Sequence, residues 1–335
     1  MILFLTSPNL EYTHRDVAAN ASGVTVRLAS YRALLKQEQT FRATYVFTDM
    51  DRLSLHHLQR VSAVYRLLKE NGLKVLNDPA RSPSRYGLLR RLHEAGINDF
   101  NAYRAEERVK PTRWPVFVRT EGNHDRPLTD LLPDWDSVQR ALDDAVDQGI
   151  PVSCLLIVEY AAEPISEGLF RKLSSFRIGD RICASTAVHE DNWLVKYGKK
   201  GIAGDALYDD ELQIVRENRY ADEMAHAFEV AGIEYGRADF GIVKGRPQIY
   251  EINTNPEIKF GGNHPFPQRV ESGRLSKANY FAALKAIDTE ASPKLLPLNI
   301  RHADATLAEA ARLSRNAEAS RVDVSGRTPV ASEAE

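Results

Sequence analysis

The fold class that this sequence predicts is a small α/β unit followed by a larger α+β body. Three observations predict it. Over residues 1–78 a strand, a helix and a strand follow one another with short joins, the pattern of a layered α/β unit. Beyond residue 79, helical stretches alternate with strand pairs joined by tight turns, the mark of antiparallel pairing. Finally, 335 residues that are 43% hydrophobic and 27% charged can bury more than one core and are too apolar for wholesale disorder.

The elements follow in order. Residues 2–5 read as a buried strand ended by Ser7-Pro8-Asn9, and residues 44–48 as a second strand followed by Asp49-Met50-Asp51. Leu55, Leu58, Val61, Val64, Leu67 and Leu68 carry the three-and-four spacing of a helix over 54–70. Asn71-Gly72 stops that helix, and Leu73–Leu76 starts the next strand. A helix over 84–94 ends at Ala95-Gly96; then come a strand at 115–119, a helix at 137–147 and a strongly apolar strand at 152–160. Residues 171–189 read as two strands around Gly179-Asp180. A helix at 217–230 ends at Gly232 and feeds a hairpin of 235–243 and 248–253, turning at Lys244-Gly-Arg-Pro247. After Leu298, residues 303–318 read as an amphipathic helix and 319–335 as a disordered tail. These changes of character divide the chain into 1–78, 79–160, 161–298 and 299–335.

Composition excludes several classes. With 44 Lys+Arg against 46 Asp+Glu the net charge is −2, so no basic footprint for nucleic acid or a membrane surface exists. No stretch approaches the ~20 apolar residues of a membrane span, and Met1–Leu5 is too short for a signal peptide. Cys154 and Cys183 each sit in an apolar run, which predicts buried free thiols in a reducing, cytoplasmic setting. No phosphate-loop, dinucleotide, zinc-protease or serine-hydrolase signature occurs.

The informative segment is 235–256, Tyr-Gly-Arg237-Ala-Asp239 through Glu251-Ile-Asn253-Thr-Asn255-Pro256. Side chains alternate along a strand, so Arg237 and Asp239 share one face and Glu251 and Asn253 share another. A hairpin centred near Gly245 sets Asp239 opposite Glu251 and Arg237 opposite Asn253. Facing carboxylates ~5 Å apart are destabilising, and neutralising one should slightly stabilise the empty protein. A hard cation between them resolves the conflict. Oxygen ligands of this number favour Mg²⁺, or Mn²⁺. A solvated polar sheet face is the alternative.

This segment resembles the C-terminal metal site of the ATP-grasp superfamily, and is most similar to D-alanine–D-alanine ligase and the glutamate-adding ligases. The resemblance runs in order over about residues 73–265, through Asn77-Asp78-Pro79, Arg85, Leu92–Ile97, Trp114–Arg119 and Leu155–Tyr160. It implies an α+β ATP-grasp body, two lobes with antiparallel sheets clasping ATP, behind the N-terminal α/β domain. Carried over residue by residue, it implies that Asp239, Glu251 and Asn253 hold Mg²⁺ and that Arg237 meets the phosphoryl group in flight. It further implies that Arg85 and Arg119 contact phosphates, and that Glu159, Tyr160 and Ala162 line the adenine slot, mainly through backbone. Glu163 and Glu167 are both candidates for the ribose, with Glu167 favoured.

Departures and further candidates complete the reading. Arg85 and Arg119 stand where the family usually has lysines; arginine keeps the charge but changes the geometry. The loop after Arg119 has the single glycine Gly122, with His124 or Arg126 as stand-ins, and Glu257 follows Pro256 where glycine is usual. Lys172 is a candidate for phosphate or substrate contact. Lys196 and Lys199 lie in a basic loop that could cover a triphosphate. Asn255, Lys259, His264 and Arg269 follow the metal site closely enough to bind a second substrate, with a structural Gly/Pro turn as the rival. Ser7, Asn9 and His14 could lend groups to the acceptor site. The resemblance implies a cytoplasmic ligase that activates a carboxylate as an acylphosphate for an amine or thiol, releasing ADP and phosphate. Its implied partners are small-molecule substrates, neither nucleic acid nor membrane, with a homodimer left open. A phosphotransferase would use the same residues, and a non-catalytic ATP-binding homologue is the other alternative.

Overall fold

In a computed structural model, which describes residues 1–298 apart from 123–125, 260–262 and 290–291, the chain opens with a parallel sheet. Its strands are β1 (Ile2–Thr6), β2 (Val26–Ser30), β4 (Thr44–Phe47) and β5 (Val75–Leu76), in the order β2-β1-β4-β5. The short helices α1 (Arg15–Asn20) and α2 (Tyr31–Leu34), strand β3 (Gln39–Arg42) and helix α3 (Leu55–Glu70) connect them. Ser54 caps α3 by accepting from the His57 N–H at 3.3 Å, an ordinary N-cap.

Alternation decides how this sheet packs. Leu3, Leu5, Tyr45 and Phe47 face Val61, Val64 and Leu68 of α3. Ile2, Phe4 and Val46 face the other way and join a core with Phe176, Ile178, Tyr235 and Tyr280 from the rest of the chain.

The second part begins with α4 (Arg85–Glu94), then β6 (Ala102–Arg104), β7 (Val116–Thr120), α5 (Trp135–Asp147) and β8 (Leu155–Glu159). The strands form a three-stranded antiparallel sheet in the order β6-β8-β7. Leu155 and Ile157 pack with Val138 and Ala145 of α5, while Leu156 and Val158 turn to Leu89 of α4.

The third part holds β9 (Phe170–Ile178), β10 (Arg181–Ala184), β11 (Val188–Glu190), α6 (Asp205–Glu217), α7 (Ala221–Ala231), β12 (Tyr235–Val243), β13 (Arg246–Asn253), α8 (Pro267–Ile287) and β14 (Ser292–Pro297). Its sheet runs β10-β9-β12-β13, with β11 also on β9, and is antiparallel throughout. Helix α4 bridges the two sheets: Leu88 and Leu92 pack with Phe228, Phe240 and Ile249, whereas Leu89 packs with the first lobe. Strand β14 returns to pair with β3, and Leu296 and Leu298 complete the core under α3. No helix among the described residues is long and apolar enough to cross a membrane.

Several expectations are corrected. Two helices, α6 and α7, replace the single helix expected at 217–230; Asn218 at φ 50° breaks them and its side chain binds the Ala184 N–H and Ile182 carbonyl. Cys154 is exposed in a short 3₁₀ turn, and only Cys183 of the two thiols is buried. The helix expected at 303–318, the tail at 319–335 and His124 lie outside the described residues.

Candidate active site

The site is built on the β12–β13 hairpin. Lys244 and Gly245 form a two-residue turn, both with positive φ (50° and 77°), as a turn matched to strand twist requires. Near the turn the pairs are Val243↔Arg246 and Phe240↔Ile249; further out they become Asp239↔Glu251 and Arg237↔Asn253. Tyr250 is the extra residue of a β-bulge between the two registers. The bulge turns Glu251 and Asn253 onto the face of Asp239 and Arg237. The tyrosine it displaces lies across Gly241, where an added Cβ would collide with its hydroxyl. That hydroxyl donates to the Ala161 carbonyl at 3.0 Å, tying the hairpin to the segment after β8.

Cations ring the two carboxylates. Asp239, 1% exposed, accepts from Arg237 Nε at 2.7 Å and Nη2 at 3.2 Å, and pairs with Lys172 Nζ of β9 at 3.1 Å. Glu251 pairs with Arg85 Nη1 at 3.0 Å, and Arg85 is the first residue of α4, placed by the Ser84 cap. Burial pushes the Asp239 carboxyl up, but Arg237 and Lys172 outweigh it and hold it below the ordinary value. Burial likewise raises Glu251, and Arg85 leads the charges that bring it below the usual range. Three cations thus balance two carboxylates, and Arg119 of β7 also lines the cleft.

Another part of the cleft lining is apolar. Leu89, Phe100, Phe117, Val158, Tyr160 and Trp193 form it; Trp193 packs on Phe117 at 5.1 Å and edge-on to Tyr160 at 5.7 Å. The space between the walls, counted out into open solvent, is ≈ 1050 Å³. Aromatic faces and cationic groups lining one cleft suit a planar base carrying a polyphosphate. A second recess shares Arg85 and Glu251 with the cleft and runs past Asn253, Thr254, Ser84 and Glu121.

The predicted residues divide accordingly. Arg85, Arg119, Glu159, Tyr160, Ala162, Lys172, Lys196, Asp239 and Glu251 all line the cleft, and Asn253 lines the adjoining recess. Glu159 contributes no free side chain: its buried carboxylate accepts from Tyr103 Oη, Asn101 N, Thr112 N and Arg113 N, all at 2.9 Å. The backbone N–H groups of Glu159 and Tyr160 are bound to Asn101 O and Pro115 O at 3.0 Å. Glu167 is exposed and absent from the lining, whereas Glu163 lines the cleft and accepts from Lys244 N at 2.7 Å.

The basic loop is less open than its composition suggests. The N–H groups of Lys196, Tyr197 and Gly198 converge on Glu190 Oε1 at 2.7–2.9 Å. Lys199 is not among the residues that line the cleft and pairs with Asp191. Asn255 is buried and bonded to Thr13 and Asn253. Lys259 is exposed and pairs with Glu257 at 2.8 Å. His264 packs on Tyr208 and Phe266, and Arg269 pairs with the buried Glu211. None of these last four lines the cleft. Sequence reasoning missed Phe117, Trp193 and Tyr250; for Tyr250 the signal was its place beside Glu251, for Trp193 there was none.

The donor set fits a hard divalent cation. Asp239, Glu251 and Asn253 could offer oxygen atoms to such a cation, and Arg237, Lys172 and Arg85 neutralise the two carboxylates here. Two carboxylates and an amide are few ligands, as expected of Mg²⁺ that keeps waters and phosphate oxygens.

No family model and no curated protein matches the chain. Among solved structures it is similar to D-alanine–D-alanine ligase from Bacillus anthracis complexed with ATP, at 12% identity over 86% of this chain and 95% of that one, TM-score 0.49. It is also similar to the ATP-grasp ligase PsnB complexed with minimal precursor (14% identity, 84% and 99% covered, TM-score 0.46). A third is the L-amino acid ligase from Bacillus licheniformis (11% identity, 86% and 75% covered, TM-score 0.44).

Proposed function

We propose that this chain is an ATP- and Mg²⁺-dependent ligase that activates a carboxylate as an acylphosphate for attack by an amine or thiol. The observation that carries the reading is the in-register pair Asp239–Glu251 in the lining of a cleft that also has aromatic walls, paired with Lys172, Arg85 and, from behind the lining, Arg237, with Asn253 in the adjoining recess. When bound, the divalent cation would supply charge neutralisation for the phosphates, held by Asp239, Glu251 and Asn253.

The chain's own groups account for the rest. Tyr160, Ala162 and Trp193 hold the base end. Arg237, Lys172, Arg85 and Arg119 are the donors for phosphate oxygens. Each of the first three is paired with a carboxylate, so positive charge is already desolvated where negative charge would develop. Arg237 presents a planar fork, which suits the equatorial oxygens of a phosphoryl group in transfer. The substrate carboxylate attacks the γ-phosphorus and ADP leaves; the nucleophile then attacks the acyl carbon and phosphate leaves. Positioning and cations supply the catalysis, and no Ser or Cys nucleophile is required.

The test is interception. Enzyme, Mg-ATP, a library of carboxylates and excess hydroxylamine should release ADP and phosphate and yield a hydroxamate without any amine substrate. ADP formation with a stable phosphorylated hydroxyl compound and no hydroxamate would establish a phosphotransferase instead. ATP binding without ADP release on any acceptor would establish a binding protein.

A further inference from the structure

A buried hydrogen-bonded chain runs from the N-terminal unit to the amide ligand of the site. Asn253 is the last residue of β13, and its Oδ1 accepts from the Asn255 N–H at 2.8 Å. Asn255 Oδ1 in turn lies 2.8 Å from Thr13 Oγ1. The Thr13 carbonyl accepts from the Ile258 N–H at 3.1 Å, so one residue grips the 254–258 loop at two points. Behind it, Thr13 Oγ1 lies 2.9 Å from His14 Nδ1, His14 Nε2 lies 2.7 Å from Tyr235 Oη, and Tyr235 Oη lies 2.7 Å from Tyr280 Oη.

These side chains are sealed. Thr13 is 5% exposed, Asn255 9%, and His14, Tyr235 and Tyr280 0%. Water cannot substitute for a lost partner, so each bond constrains the next. The His14 ring also stacks on Phe4 of β1 at 4.5 Å. A neutral His14 with its proton on Nδ1 donates to Thr13 Oγ1, which leaves the threonine hydroxyl free to donate to Asn255 Oδ1. Nε2 then accepts from Tyr235, which accepts from Tyr280. The single Thr13 hydroxyl proton is shared between Asn255 Oδ1 at 2.8 Å and the Leu10 carbonyl at 2.9 Å.

An asparagine amide has an oxygen end and an NH₂ end, and only the oxygen can meet a cation. The Asn255 N–H settles which end faces the loop and holds the Asn253 oxygen at one position. We propose that Thr13, backed by His14, is a positioning residue for Asn253: it fixes Asn255, and thereby the amide oxygen offered to the divalent cation. The N-terminal unit would then be part of the metal site without touching the metal. This rests on the proposed reading that Asn253 holds a cation.

The experiment measures Mn²⁺ binding to the full chain in the presence of ADP, by loss of the free-ion electron-spin signal, beside melting temperature. Asn253→Ala should weaken Mn²⁺ by about tenfold or more, and Thr13→Val by about tenfold, the usual cost of losing an outer-shell partner. Thr13→Ser, which keeps the hydroxyl, should bind within about twofold of the parent. Should Thr13→Val fold poorly, Asn255→Ala removes the same link while keeping the backbone N–H, and should show the same loss. A purely structural role lowers the melting temperature of these variants and leaves Mn²⁺ affinity unchanged. That outcome, with Asn253→Ala weakened, overturns the inference alone. Unchanged Mn²⁺ affinity in Asn253→Ala overturns the metal reading, and the inference with it.

Discussion

The two walls of the cleft each bury carboxylates at its edge, and they satisfy them in opposite ways. On the β8 wall, Glu159 is met by backbone N–H groups and neutral hydroxyls at fixed positions: Asn101, Thr112 and Arg113 through the main chain, Tyr103 through its ring. On the β12–β13 wall, Asp239 and Glu251 are met by the ends of long cationic side chains, Arg237, Lys172 and Arg85. Backbone donors cannot leave without unfolding a segment. Arginine and lysine heads sit on long side chains and can change partner by rotating side-chain bonds alone. A carboxylate held by main-chain N–H groups is fixed with the scaffold; one held by side-chain cations can exchange partners.

The largest expected effect breaks the functional wall. Asp239→Asn should abolish ADP formation, and Arg237→Ala should lower kcat by about 10²–10³-fold, the range for one positioned donor. Arg237→Lys should restore only part, because a point charge does not replace the fork. Steady-state kinetics that show Asp239→Asn at parental rates would erase the distinction between the walls.

Glu159→Ala comes next, on the scaffold wall. It leaves several buried donors without an acceptor and should cost about 3 kcal/mol of stability, read from urea midpoints at constant m-value. Turnover below the melting transition should stay within about threefold of the parent.

A smaller effect concerns Glu251→Gln. Two facing carboxylates alone predict a gain in stability of ~0.2–1 kcal/mol on removing one charge. Arg85 at 3.0 Å, with its side chain 9% exposed, reverses the sign, because the variant leaves a guanidinium buried without its partner. We expect a loss of about 1–2 kcal/mol by chemical denaturation, and a gain would show that the carboxylates repel despite their cations.

The smallest is a pH effect from behind the hairpin. Burial drives His14 from 6.5 down to about 3. The unfolded chain therefore takes up the proton first, and the stability of the neutral form is complete above about pH 6.5 and drains as pH falls toward 3. From pH 6.5 to 5.5 this one histidine should cost about 1 kcal/mol. His14→Gln should flatten that slope, and an unchanged slope would place the acid sensitivity elsewhere.

What the sequence made legible follows the same physics. β1, β4, α3, α4 and α5 announce themselves because apolar residues mark their buried faces. Helix α8 does not: its buried stripe is Ser272, Ser276, Tyr280, Leu284 and Ile287, which opens with two serines. Helix α6 hides a buried Glu211 among its core positions for the same reason. Strands β3 and β14 pair across some 250 residues of chain, a contact that no local pattern encodes. The facing of Asp239 and Glu251 could be read from the sequence, but by a shortcut. Centring the hairpin on Gly245 gives the right pairs, although the true turn is Lys244-Gly245 and Tyr250 supplies the missing residue. Lys259 and His264 were selected by nearness in sequence, and the chain carries them to other surfaces.

That single extra residue gives the hairpin a parity. A two-residue turn alone pairs positions whose numbers sum to an odd value, and Asp239 would then face Tyr250 while Glu251 faced the hydrophobic side with Ala238. The bulge makes the sum even beyond Tyr250, and both carboxylates emerge together. Tyr250 absorbs the odd residue among the eleven that separate Asp239 from Glu251, so its deletion would leave a regular ladder with Asp239 still opposite Glu251. What such a deletion would remove is the tyrosine hydroxyl on the Ala161 carbonyl, the tie between the hairpin and the segment after β8.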